Sequence, residues 1–111
     1  MSRTGVRDDQ LAEIVRRVIE AVDPDKIILF GSQARGDARG RSDVDLMIVK
    51  ASDLPRHRRT APVHKALCSI GIPTDILWYT PEEIDEWSEV RQHVATQATR
   101  QGRTLYEKAQ R

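Results

Sequence analysis

The fold of this chain is decided by residues 26–49, which read KIILFGSQARGDARGRSDVDLMIV. The apolar run 26–30, rich in β-branched residues, predicts a buried strand, and residues 43–49 predict a second strand. Between them, three of the six glycines fall within ten residues, which predicts a loop with a short helical turn starting at Ser32. The stretch therefore predicts a strand–loop–strand unit.

The flanking sequence predicts helices and more strands. Residues 8–22 predict an amphipathic helix, because their apolar positions recur every three or four residues. Residues 56–70 keep helical spacing, and Pro62 either begins that helix or kinks it. The remaining segments predict a third strand over 74–79, a capping box with a helix over 81–87, a weaker helix over 89–101, and a short strand or an ordered tail over 103–107. This order favours an α/β (α+β) fold, a small mixed β-sheet flanked by helices.

Length and composition limit the class of protein. The 111 residues fit one domain, 1–111, and a domain this small often gains burial from a partner or a homo-oligomer. Lys plus Arg total 18 and Asp plus Glu 17, so the net charge of +1 excludes a polycation, and direct nucleic-acid binding is not expected. No apolar run is long enough to span a membrane. The single cysteine, Cys68, fits a reducing cytoplasm and is expected to be a small buried residue.

Carboxylates stand at the beginning of two predicted strands. Asp43 and Asp45 are two residues apart on one strand, so they point to the same face. Asp75 stands near the start of the third predicted strand, and it joins the pair if the two strands are neighbours. Mg²⁺ prefers a few carboxylates together with phosphate oxygens and water. The pattern therefore predicts a site for divalent metal.

The glycine-rich loop supplies groups that bind anions. Gly31 lets a phosphate approach the backbone closely, and the N–H groups of a helix start bind anions together with the Ser32 hydroxyl. Arg35 lies about one helical turn further on and can pair with a phosphate, although a solvated loop position fits it equally well. We therefore expect a phosphate group beside the metal.

These motifs occur together in a known family. Gly31-Ser32, ten further residues and then Asp43-Val44-Asp45 resemble the signature of the DNA polymerase β-like nucleotidyltransferase superfamily, and the fuller run is similar to its minimal nucleotidyltransferase branch. The resemblance implies Mg²⁺-dependent transfer of AMP from ATP to a hydroxyl, with two metal ions. It implies that Gly31 and Ser32 hold the phosphates and that Asp75 is also the base. The implied catalytic metal ligands are Asp43, Asp45 and Asp75.

The resemblance also implies a partner. Minimal members of this branch often pair with a small helical toxin of the "higher eukaryotes and prokaryotes nucleotide-binding" (HEPN) class, a ribonuclease. The antitoxin can silence that toxin by adenylylating a tyrosine. This chain is accordingly expected to be such an antitoxin. Two alternatives stay open, namely an antitoxin that neutralises its partner by binding alone, and an adenylyltransferase that modifies a small molecule.

A basic run precedes the third predicted strand. Arg56, Arg58 and Arg59 could face RNA or an acidic partner, and a solvated helix face is the favoured alternative. Trp78 is expected in the core or at a partner contact.

Overall fold

The computed structural model describes residues 8–30, 44–86 and 102–108. Its elements in chain order are α1 (Asp8–Val22), β1 (Lys26–Phe30), β2 (Val44–Val49), α2 (Arg56–Arg59), α3 (Ala61–Leu67), β3 (Thr74–Tyr79), α4 (Pro81–Glu86) and β4 (Arg103–Glu107). The predicted class, a small mixed sheet flanked by helices, is confirmed. The predicted helical turn at Ser32 and the predicted helix over 89–101 lie outside the described residues.

The four strands form one sheet in the order β3-β2-β1-β4. β1 pairs antiparallel with both β2 and β4, whereas β2 and β3 run parallel. Parallel neighbours need a long crossover, and here the crossover carries α2 and α3. The segment 103–107, for which the sequence left two possibilities, is the strand β4 beside β1.

Alternation along the strands divides the apolar side chains between the two faces of the sheet. Leu46 and Ile48 of β2 face the helices α1 and α3, and Met47 between them faces the other side. On the first face, the buried helix residues are Leu11, Ile14, Val18, Val63 and Leu67. On the second face, Ile84 of α4 packs against the smaller cluster of Ile28, Met47 and Tyr79. Trp78 lies in the larger cluster, as one of its two predicted placements required.

The single helix predicted over 56–70 is in fact two short helices. α2 ends at Arg59 and α3 begins at Ala61, with Pro62 in its first turn. Proline has no N–H to donate, and its ring clashes with the carbonyl four residues earlier, so a helix cannot run through it unbroken. The first turn tolerates proline because its N–H would have no partner there. Of the two possibilities for Pro62, a helix start is therefore the correct one.

The capping box predicted before α4 is confirmed. The N–H of Glu83 donates to Thr80 Oγ1 at 3.1 Å, and the N–H of Thr80 donates to Glu83 Oε1 at 2.9 Å. Pro81 occupies the first helical position, where its fixed φ suits a helix. The two reciprocal bonds fix the point at which the chain leaves β3 and enters α4.

Candidate active site

Two of the predicted site residues lie side by side on neighbouring strands. In the parallel pairing of β2 with β3, Asp45 is in register with Asp75. Adjacent strands are separated by about 4.8 Å. Each aspartate lies two residues before a side chain of the second face, Met47 on β2 and Leu77 on β3. The two carboxyl groups therefore share that face, as the sequence predicted for neighbouring strands.

The end of β1 lies at the same edge of the sheet. Because β1 and β2 are antiparallel, Phe30 at the end of β1 is the register partner of Asp45 near the start of β2. Val44 begins β2, and its N–H donates to the carbonyl of Pro73, just ahead of β3, at 3.0 Å. Three chain segments thus meet where the carboxylates are, and the backbone bond from Val44 fixes the relative position of the two aspartates.

The remaining predicted site residues lie outside the described part of the chain. They are Gly31, Ser32, Arg35 and Asp43, all within the segment 31–43. Both described residues that border this segment, Phe30 and Val44, belong to the edge that carries Asp45 and Asp75. Two of the three predicted carboxylates, Asp45 and Asp75, therefore lie in the described part of the chain.

The two described carboxylates differ in exposure. Asp45 is half-buried, and Asp75, on the edge strand of the described sheet, is exposed. Half-buried Phe30 and Leu77 are their apolar neighbours on the second face. Adjacent carboxylates offer oxygen ligands of the kind that Mg²⁺ prefers, and an exposed one is accessible to an incoming group. Within the described ranges, no group of three or more His, Cys, Asp or Glu side chains is placed to hold a metal ion.

A buried arginine that sequence reasoning missed fixes the other end of β3. Arg59 is only 7% exposed, so the expectation that it lies on a solvated helix face was wrong. Its guanidinium donates to both carboxylate oxygens of Glu83, at 2.8 and 3.2 Å, and to the carbonyls of Leu54 and Trp78. This hydrogen bonding by Arg59 lowers the pKa of Glu83 to about 2. We call this set of contacts the Arg59 clamp.

The prediction that Cys68 is a buried residue was wrong, because Cys68 is exposed. α3 ends at Leu67, which takes the inward position, and the next residue lies on the side of the exposed His64. Cys68 and His64 line a cleft of about 450 Å³ beside the start of β3, together with Thr74. Since Thr74 and Asp75 are consecutive in a strand, the cleft opens on the opposite face from the carboxylate pair.

Comparison with family models identifies the family of this chain. The model described as the nucleotidyltransferase domain matches residues 9–106. The chain belongs to this family. The resemblance that the Gly-Ser and Asp-x-Asp motifs indicated is therefore confirmed, and the carboxylate pair described above lies inside the matched region. Comparison with curated proteins finds no match.

Solved structures with the fold of this nucleotidyltransferase domain include toxin–antitoxin pairs. A toxin–antitoxin with AMP-PNP gives a TM-score of 0.59 at 20% identity, over 93% of this chain and 75% of that chain. A mutant of the toxin–antitoxin MntA–HpeT gives 0.55 at 16% identity, over 93% and 75%. A second MntA–HpeT mutant gives 0.55 at 20% identity, over 94% and 75%. At such identities, these similarities show a common fold.

Among the residues that the structure describes, none of the helices combines the length and the apolar character needed to cross a bilayer.

Proposed function

We propose that this nucleotidyltransferase domain transfers AMP from ATP to a hydroxyl of a partner protein and so acts as an antitoxin. The proposed partner is a HEPN-class toxin, the proposed acceptor is a tyrosine of that toxin, and the proposed compartment is the cytoplasm. The observation that carries the proposal is the register of Asp45 with Asp75 beside the end of β1. The toxin–antitoxin identity of the structural neighbours supports the choice of partner.

The proposed site divides its residues between metal and nucleotide. Gly31, Ser32 and Arg35 would hold the phosphates of the nucleotide. The donor set suits a hard cation, because it consists of carboxylate oxygens on adjacent strands. Two Mg²⁺ ions, when bound, would neutralise the charge that develops on the attacking and leaving oxygens. The proposed metal ligands are Asp43, Asp45 and Asp75.

Asp75 is the proposed general base. Its carboxylate is exposed on the edge strand β3, so a hydroxyl carried by another chain can reach it. The Asp75 Oδ would take the hydroxyl proton while the acceptor oxygen forms a bond to the α-phosphorus. The bond from that phosphorus to the bridging oxygen breaks, and pyrophosphate leaves. The half-buried Asp45 carboxylate, in register with Asp75, would hold metal beside the base.

The test is an intact-mass measurement. The chain and the product of its neighbouring gene are co-expressed, purified together and incubated with ATP and Mg²⁺. We expect the partner to gain the mass of one or more adenylyl groups. Asp45→Asn and Asp75→Asn should each abolish this gain. Asp53→Asn serves as the matched control, because Asp53 is an exposed carboxylate in the connection beyond the other end of β2.

Three outcomes distinguish the alternatives. Loss of both modification and neutralisation in the Asp45→Asn variant supports catalysis as the antitoxin mechanism. A doubly substituted Asp45→Asn, Asp75→Asn chain that still neutralises its partner would establish neutralisation by binding alone. Turnover of a small hydroxyl compound by the purified chain without any partner would instead establish a small-molecule adenylyltransferase.

A further inference from the structure

Two short helices of opposite charge lie side by side at the carboxyl end of β3. α2 and α4 both pack against β3, and the Arg59 clamp joins them through the Glu83 carboxylate. The capping box between Thr80 and Glu83 fixes the start of α4. The spacing of the two helices is therefore held by buried and half-buried polar contacts.

The outer sides of these helices carry exposed charges of opposite sign. The segment 54–70, which contains α2, has no acidic residue, and α4 has no basic residue. We call four of the five exposed charged side chains of these helices the bipolar surface; the fifth is Asp85 on α4. The four are Arg56 and Arg58 on α2, and Glu82 and Glu86 on α4.

An exposed apolar side chain adjoins the bipolar surface. Leu54, just before α2, is 49% exposed and is the large apolar side chain that stays exposed among the described residues. Its backbone is nevertheless fixed, because its N–H donates to Ser52 Oγ at 3.1 Å and its carbonyl accepts from Arg59 Nε at 2.8 Å. Arginine is enriched at protein interfaces, and burial of an exposed leucine beside it would contribute hydrophobic free energy to association.

We propose that two copies of this chain associate through the bipolar surface. A two-fold axis that runs between α2 and α4 places the basic helix of each copy opposite the acidic helix of the other. The same four side chains of each copy then form two equivalent sets of ion pairs, which is the self-complementarity that a symmetric dimer requires. This association goes beyond the proposed transfer reaction and does not depend on it.

The mixed sign of the surface favours a second copy over other occupants. A nucleic acid backbone would be attracted by Arg56 and Arg58 but repelled by Glu82 and Glu86 beside them. A uniformly acidic protein would meet the same repulsion from α4. Exposed ion pairs are individually weak and are screened by salt, and two short helices bury little area. The dimer is therefore weak, salt-sensitive and populated only at high protein concentration.

Sedimentation velocity of the full chain tests the proposal. At low salt, the mean mass should rise with concentration from 12.6 kDa towards twice that value, and high salt should reverse the rise. Arg56→Glu with Arg58→Glu should keep the chain monomeric, as should Glu82→Lys with Glu86→Lys. An equimolar mixture of these two variants should recover the dimer, because each supplies the charge that the other now needs. Glu20→Lys, on α1 against the opposite face of the sheet, is the control and should dimerise normally.

One further variant separates the loss of charge complementarity from a folding defect. The Arg56 guanidinium lies 5.0 Å from the centre of the Tyr79 ring, so its reversal also removes a packing contact. Arg58→Glu alone leaves that contact intact, and it should weaken the dimer at least several-fold with an unchanged far-UV circular dichroism spectrum.

Three results would overturn the proposal. The wild-type chain could stay monomeric at low salt and the highest concentration reached. The mixture of reversed variants could fail to recover the dimer while each variant folds. The wild-type chain could remain monomeric and instead bind an RNA oligonucleotide through Arg56 and Arg58, which would reassign the surface to nucleic acid.

Discussion

Removal of one charge from the Arg59 clamp should destabilise the fold in a pH-dependent way. Glu83→Gln keeps the shape of the side chain and an oxygen for the capping bond from Thr80, and it removes both the negative charge and one of the two oxygens that accept from Arg59. Arg59, 7% exposed, would then be a nearly buried cation without its carboxylate. Breaking a buried ion pair by removing one partner typically costs about 3–5 kcal/mol.

The pKa of Glu83 gives a second estimate of the free energy of unfolding that Glu83→Gln should lose. Hydrogen bonding by Arg59 lowers this pKa from the ordinary 4.5 to about 2. By linkage, this difference corresponds to roughly 3 kcal/mol of stability at neutral pH. The Glu83 side chain is 27% exposed, so solvent screening reduces the effect. We therefore expect a loss of about 2 kcal/mol for Glu83→Gln at pH 7.

The direction of the pH dependence follows from the lowered pKa. A carboxylate whose pKa falls on folding stabilises the native state above its unfolded pKa, near 4.5, and this stabilisation is lost as the pH falls towards about 2. The difference in stability between wild type and Glu83→Gln should therefore be full at pH 7 and shrink between about pH 4.5 and 2. Other acidic groups titrate equally in both proteins and cancel in this difference.

Urea unfolding, followed by circular dichroism and tryptophan fluorescence, measures the effect. With a slope of about 1–1.5 kcal/mol/M, the expected loss lowers the urea midpoint by about 1.5 M at pH 7. Glu82→Gln, the same change at the exposed neighbour on α4, should stay within about 0.5 kcal/mol of wild type. A Glu83→Gln chain as stable as the Glu82→Gln chain at pH 7, or a difference that does not shrink in acid, would refute the reasoning.

Three further substitutions or labelling experiments test separate features. Thr80→Ala removes the hydroxyl that accepts the Glu83 N–H and should cost about 1 kcal/mol in urea unfolding, whereas Thr80→Ser should recover most of that loss. Ile14→Ala empties a fully buried position between α1 and the sheet and should cost about 3 kcal/mol; a loss below about 1 kcal/mol would mean that α1 does not pack there. Cys68 should react with a thiol reagent in the native protein as fast as in urea, and strong protection of the folded chain would contradict the exposed thiol.

Local patterns predicted most of the described elements. The helix over 8–22 and the strands over 26–30 and 74–79 have the bounds that their apolar spacing indicated. The strand predicted over 43–49 is described from Val44 to Val49, and its first residue lies outside the described part of the chain. The capping box before α4 was also predictable, because it depends on residues only three positions apart. These features depend on residues that are close in sequence, so they could be predicted without knowledge of the tertiary contacts.

Contacts between distant segments were harder to predict. The sequence placed Asp45 and Asp75 at strand starts, but their register depends on how β2 and β3 align after a crossover. Arg59 was missed because a basic run usually indicates solvent exposure. One signal was available, since Arg59 lies four residues before Val63 and eight before Leu67, the inward positions of α3. Periodicity alone could not show that Glu83 would neutralise it.

The parallel pairing of β2 and β3 determines what a shift in strand register would do to the domain. A slip of one residue in this pairing would turn Asp75 to the opposite face and bring Thr74 or Ile76 to the side of Asp45. The same slip would move Trp78 out of the larger apolar cluster, at a high cost in burial. A misaligned chain should therefore lose both core burial and the pairing of Asp45 with Asp75. The apolar core thus selects the one register that brings the two carboxylates together.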